Sequence, residues 1–121
     1  AMANGKTAVV YTSRTVIDLS DQTPEQLLAI SVRISDALTS VVSRLAKRPR
    51  FLIAKGGITS SDVGTIALAV KKARVLGQVQ PGIPVWKIGE ESRFPGMSYI
   101  IFPGNVGDED TLRKIVEVLN R

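Results

Sequence analysis

The 121-residue sequence predicts one α/β domain, with a mixed or mainly parallel sheet and helices packed on its faces. Two observations carry this. Short apolar runs of strand length alternate with longer runs whose apolar residues recur every three or four positions. The strand-like runs also end in hydroxyl or glycine residues, at the place where ligands of open α/β sheets gather. The order of elements reads strand, long helix, strand, helix, two strands, strand, helix.

Ala1 to Gly5 read as a short disordered lead before a domain spanning 6–121. Thr7 to Tyr11 is β-branched and aromatic, the pattern of a first strand, and Thr12, Ser13 and Arg14 end it. Thr15 to Gln22 is expected to be irregular. Thr23, Pro24 and Gln26 then form a capping-box signature. Leu27, Ile30, Ile34, Leu38, Val41 and Leu45 follow on one helical face. That helix stops at Arg48-Pro49, because the residue before proline is pushed out of the helical region. It is expected to cover one face of the sheet.

Phe51 to Ala54 is continuously apolar, as in a strand buried on both faces. Gly56 and Gly57 follow, free to turn sharply and to let a ligand approach the backbone. Thr59, Ser60, Ser61 and Asp62 are N-cap candidates for a helix running from about Asp62 to Ala73, with Val63, Ile66, Ala67 and Val70 inward and Gly64 closely packed. A helix N-terminus of this kind suits a phosphate. Lys55 is either a point charge for that phosphate or an exposed strand-end lysine.

Arg74–Val79 and Pro84–Ile88 read as strands joined by a type II turn in Gln80-Pro-Gly-Ile-Pro84. Trp86 is assigned to the core in preference to a shelf for a base. Glu90 and Glu91, adjacent in the loop before Met97, are assigned to the surface with Arg93 balancing them. Met97–Phe102 is the last strand, and Asp108 caps a helix through Leu119 with Leu112, Ile115, Val116 and Leu119 inward. Between them, Gly104 and Gly107 free the backbone to form an anion-binding nest. Asp108, Glu109 and Asp110 oppose a bare phosphate there. A magnesium ion between them, contact with ribose and base instead, or acids turned away would each resolve the conflict.

Composition narrows the chemistry. The chain has no cysteine and no histidine, which removes disulfides, thiolate metal sites and the usual near-neutral acid/base. The net charge is +5, concentrated in Arg44, Lys47, Arg48 and Arg50 and in Lys71, Lys72 and Arg74. Both clusters are expected at helix ends, where basic residues meet the negative dipole. Aromatic residues make up only 5%, too few for a base-stacking platform, so no nucleic-acid partner is expected. No apolar run reaches the roughly 20 residues of a membrane span, so the protein is expected to be soluble and cytoplasmic. Neither a P-loop nor a Gly-x-Gly-x-x-Gly fingerprint is present.

Three stretches, Tyr11-Thr-Ser-Arg14, Lys55-Gly-Gly-Ile-Thr-Ser-Ser-Asp62 and Phe102-Pro-Gly-Asn-Val-Gly-Asp108, resemble the C-terminal nucleotide-binding domain of the four-carbon acid sugar kinase family. The likeness runs from about Thr7 to the end. It implies binding of ATP or ADP, with Mg²⁺, by Ser13, Gly56, Gly57, Thr59, Ser60, Gly104, Asn105, Val106 and Gly107. Arg14 would assist a phosphate, and Gln80 to Pro84 would lie near the nucleotide. The resemblance further implies a kinase for a threonate- or erythronate-like acid whose separate N-terminal domain holds the sugar acid, so that this portion alone binds without turnover. No catalytic residue or metal ligand is assigned, and a homodimer is left open. The alternatives are a non-catalytic nucleotide- or anion-binding module of a larger protein, and a structural module whose glycine loops are only turns.

Overall fold

The computed structural model describes residues 1–13 and 18–121. The expected role of Arg14 and the start of the irregular stretch from Thr15 lie outside the described residues. The elements in order are α1 (Pro24–Ser43), β1 (Phe51–Lys55), α2 (Gly57–Asp62) leading into a π-helical turn (Val63–Ala67), β2 (Ala73–Gln80), β3 (Ile83–Ile88), β4 (Ser98–Phe102) and α3 (Thr111–Leu119). The sheet order is β1-β4-β3-β2. β1 and β4 are parallel, while β3 runs antiparallel to both β4 and β2. The sheet is therefore mixed, with helices on both faces, as an α/β domain requires.

Side-chain alternation splits the core into two layers. Ala54, Ile88 and Tyr99 point to one face, where they meet Val63, Leu68, Phe94 and Met97. Ile83, Ile100 and Phe102 point to the other, where Ile115 of α3 seals them. Tyr99 is the largest side chain in this interior, 1% exposed, and its hydroxyl donates to the carbonyl oxygen of Ser60. α1 starts on the expected capping box: Thr23 Oγ1 accepts from the Gln26 amide, and Gln26 Oε1 accepts from the Thr23 amide. Each such cap satisfies amides that have no intrahelical partner.

Several expectations are corrected. Thr7–Tyr11 is not a strand. No ladder takes it up; Thr7 and Val9 instead line a shallow groove with Leu112 and Val116 of α3. Val9 is 66% and Tyr11 80% exposed, so β-propensity without a partner surface produced no strand. At the N-terminus Met2–Asn4 makes one 3₁₀ turn, closed by Gly5 at φ +72°. α1 packs on α2 and the π turn, which lie between it and the sheet. α1 ends at Ser43, short of the expected stop at Arg48-Pro49, so only Val42 at its end and Leu45 just beyond it pack against the core, while Leu27, Ile34 and Val41 remain exposed. Ser35 Oγ donates to Asp62 Oδ2 at 2.6 Å across that helix contact.

The helix expected over Asp62–Ala73 runs instead from Gly57 to Ala67. Gly56 sits at φ +100°, ψ 145°, a conformation closed to side chains, and turns β1 directly into the helix. The early stop follows from the π turn, where the Leu68 amide donates to Val63 O, and from Ala69 at φ +52°. Lys71, Lys72 and Arg74 consequently lie on the linker and at the start of β2 and not at a helix end. Met97 falls just outside β4, and Ile83 joins β3. The Pro81-Gly82 turn forms as expected, with Gly82 at φ +79°.

The loop from Gly89 to Gly96 is braced by side chains assigned to the surface. The Glu91 carboxylate accepts from the amides of Lys71 and Lys72 at 2.9 and 2.6 Å. Arg93 does not pair with the glutamates; its guanidinium donates to the carbonyls of Val42 and Leu45, closing the end of α1. The backbone amide of Glu91 itself, and those of Lys71 and Lys72, hold the Glu91 carboxyl below the ordinary range. A carboxyl depressed on folding contributes stability above its unfolded pKa, and that contribution is lost as pH falls through the folded value. Thermal unfolding between pH 6 and 3 should therefore show a drop in midpoint setting in below about pH 4.5. The drop should be shallower in Glu91→Gln; superimposable profiles would deny Glu91 this role.

Candidate functional site

Because β1 and β4 are parallel and β3 opposes β4, the β1–α2 loop, the β4–α3 loop and the β2–β3 turn all emerge at one edge of the sheet. Their backbones touch. The Gly56 amide donates to Phe102 O at 2.8 Å. A Cβ placed on Gly104 would lie 3.9 Å from Gly56 Cα, and one on Gly82 would lie 3.5 Å from Val106 Cγ1. Gly56, Gly57, Gly104, Val106 and Gly82 thus share one rim, at the carboxyl ends of the parallel pair.

Ser60 provides the first closed bond of α2, its amide donating to Gly56 O at 2.9 Å. The amides of Gly57, Ile58 and Thr59 therefore have no intrahelical partner, and Ile58 is 76% exposed, leaving this end open to solvent. Gly57 itself faces open space, with nothing within 4 Å of where a Cβ would stand. The hydroxyls do not cap as expected, since they lie inside the helix. Ser60 is buried, and its hydroxyl donates to Ala54 O and Gly56 O at 2.9 and 2.6 Å, fixing the shape of the glycine turn. Thr59 is half-buried beside Gly56.

Across the rim, Gly104, Asn105 and Gly107 are exposed and Val106 is half-buried. Gly107 has φ +87°, and a Cβ there would fall 2.8 to 2.9 Å from Thr111 atoms, so this glycine is required by the fold itself. α3 begins at Thr111 with Asp110 as its N-cap, two residues later than expected. Asp108 still governs its entry: its carboxylate accepts from the Asp110 amide and the Thr111 hydroxyl, while the Asp108 amide donates to Thr111 Oγ1. The Thr111 hydroxyl, followed by the Asp110 amide, holds the Asp108 carboxyl below its usual range. Asp110 pairs with Arg113 at 3.4 Å. Two of the three acids, Asp108 and Asp110, are thus engaged by groups at the start of their own helix.

From Gly57 the rim opens into a cleft of about 500 Å³ between α2 and the sheet. Its floor is apolar, built by Trp86, Tyr99, Ile101 and Val75, and its wall carries Ser61, Thr65, Lys71 and Lys72. Trp86 both packs on the core and lines this cleft, being half-buried. The sequence reading missed the lysine wall because it carried the helix through Lys71 and Lys72. Ser13 is exposed on irregular chain, and among the described residues no hydrogen bond links it to the rim. Among the described residues no three acidic side chains cluster as metal ligands, and no helix is long and apolar enough to cross a membrane.

The fold and this edge define an α/β domain with a glycine-built rim whose helix-start amides have no intrahelical partner. The chain belongs to the family of nucleotide-binding C-terminal domains, whose model matches residues 1–112. It is similar in fold to two crystal forms of a domain of unknown function from Bordetella bronchiseptica, a domain-swapped dimer with bound citrate. Identity is 21% in both, with TM-scores of 0.58 and 0.59, over 72% and 75% of this chain. The chain spans about a fifth of those structures' length, 21% and 22%. A comparison with curated proteins gives no match.

Proposed function

We propose that this chain is the ATP-binding domain of a cytoplasmic kinase that phosphorylates a four-carbon sugar acid of the threonate or erythronate type. A sugar-acid-binding domain of the same polypeptide would complete the active site, so that the present domain binds nucleotide without turnover. The observation that carries this is the convergence of the Gly56-Gly57 and Gly104–Gly107 loops on one rim. Catalysis of phosphoryl transfer is mainly positioning and charge neutralisation, and glycine-loop amides supply both.

In this reading the phosphates lie against the amides of Gly57, Ile58 and Thr59 and the Gly104–Gly107 loop, while Ser60 holds the turn in shape. The base enters the apolar cleft over Trp86, with Lys71 and Lys72 at its wall. Ser13 joins the nucleotide only by the family pattern. Mg²⁺ would be carried by the phosphates, since this ion keeps several of its waters and is usually bound by one or two carboxylates together with substrate phosphates. The swapped dimers of the Bordetella protein favour a dimeric full-length enzyme.

Isothermal titration of the domain with ADP and ATP, with and without Mg²⁺, tests the reading. Saturable binding of either nucleotide is the expected result. Absence of binding both in the domain and in the full-length protein would overturn it.

A further inference from the structure

Lys55 closes β1, and its side chain leaves the sheet on the face of α3. Its Nζ lies 4.3 Å from the centre of the Phe102 ring and 3.5 and 3.4 Å from the carbonyl oxygens of Pro103 and Gly104. These contacts are long, and their character is ion–dipole and cation–π rather than a short hydrogen bond. Among the described residues the only ion pairs join Arg113 to Asp110 and Glu117, so the Lys55 charge is met by loop carbonyls and a ring.

We infer that Lys55 is a positioning residue that sets the anion-binding face of the β4–α3 loop. In a planar trans peptide the carbonyl and the following amide point in opposite directions. Pro103 C=O shares its plane with the Gly104 N–H, and Gly104 C=O shares its plane with the Asn105 N–H. Drawing both carbonyls toward one ammonium turns both amides away from it. Successive amides with a common direction make a nest for an anion. The exposure of Gly104 and Asn105 leaves the nest open. Lys55 would thus serve a phosphate without touching it, a role different from the direct contact a lysine beside a glycine loop suggests. This inference rests on the nucleotide reading for its purpose, though not for its geometry.

The test reads the geometry first, with no nucleotide present. In ¹⁵N-labelled protein, Lys55→Met keeps the aliphatic stem and removes the charge. The Gly104 and Asn105 amide signals should shift in the variant while core amides stay in place. ADP affinity should then fall about tenfold, and Lys55→Arg should recover part of both effects. Unmoved Gly104 and Asn105 amides would overturn the inference, whatever happens to affinity, as would shifted amides with unchanged ADP binding. Wild-type protein that binds no ADP would defeat the nucleotide reading instead, and the amide shifts would still decide whether Lys55 orients the loop.

Discussion

Gly57→Val is expected to weaken ADP binding at least a hundredfold while the domain stays folded. The contrast between glycines supports this. Gly57 has an ordinary φ and no atom within 4 Å of a would-be Cβ, so a valine side chain projects into open space at the mouth of the rim. On helix propensity valine is no worse than glycine, so the substitution should cost the fold little. An isopropyl group there blocks approach to the Gly57, Ile58 and Thr59 amides, and a hundredfold loss corresponds to about 2.7 kcal/mol of binding free energy. Gly107→Val makes a poor probe of the ligand. At φ +87°, with Thr111 atoms 2.8 to 2.9 Å from the added carbon, it should cost more than about 3 kcal/mol of stability. Paired calorimetric titrations and thermal melts of the two variants separate blocked binding from broken fold. Native ADP affinity in Gly57→Val would remove the β1–α2 loop from the site.

Tyr99→Ala is expected to be the most damaging single change in the core, by about 3 to 5 kcal/mol. The ring joins both helical contributors on its face, packing where Gly64 of the π turn comes within 3.3 Å of Tyr99 Cε1 when given a Cβ. Truncation would leave a cavity between the sheet and the turn that carries α2. Tyr99→Phe keeps the ring and removes one donor to Ser60 O, an oxygen that also accepts from the Val63 amide, so about 1 kcal/mol should be lost. Burial pushes the phenol pKa up. Its contribution is therefore complete below the free tyrosine value near 10 and lost as pH rises above it. Urea unfolding of the two variants checks the order; a Tyr99→Ala loss no larger than that of Tyr99→Phe would show that the ring is not a keystone.

Strands and helices with strong local patterns were legible in the sequence. The continuous apolar run of β1, the turn at Pro81-Gly82 and the capping box at Thr23 all stand where their chemistry puts them. The failures share one cause, the dependence of local structure on distant partners. Thr7–Tyr11 has strand chemistry but no ladder to join. The face of α1 has helical periodicity but meets α2 and not the sheet. The π turn and left-handed Ala69 that end the second helix leave no mark in hydrophobic spacing. Gly56, Gly82 and Gly107 were readable because their positive φ demands that residue type. The partners of Lys55, Glu91 and Arg93 were not, since each lies on a segment remote in sequence.

The order of strands also sets the order of assembly. β2, β3 and β4 form a meander of neighbours in sequence, with contacts that close only short loops. The β1–β4 ladder must instead span everything between those strands, at a larger entropic cost, and such non-local pairings slow folding. Gly56 and Gly104 meet only when that ladder closes, so the rim comes into being with the slowest contact of the sheet. A ligand held there would bind the finished chain and none of its precursors, and would act as a latch on the last step of folding.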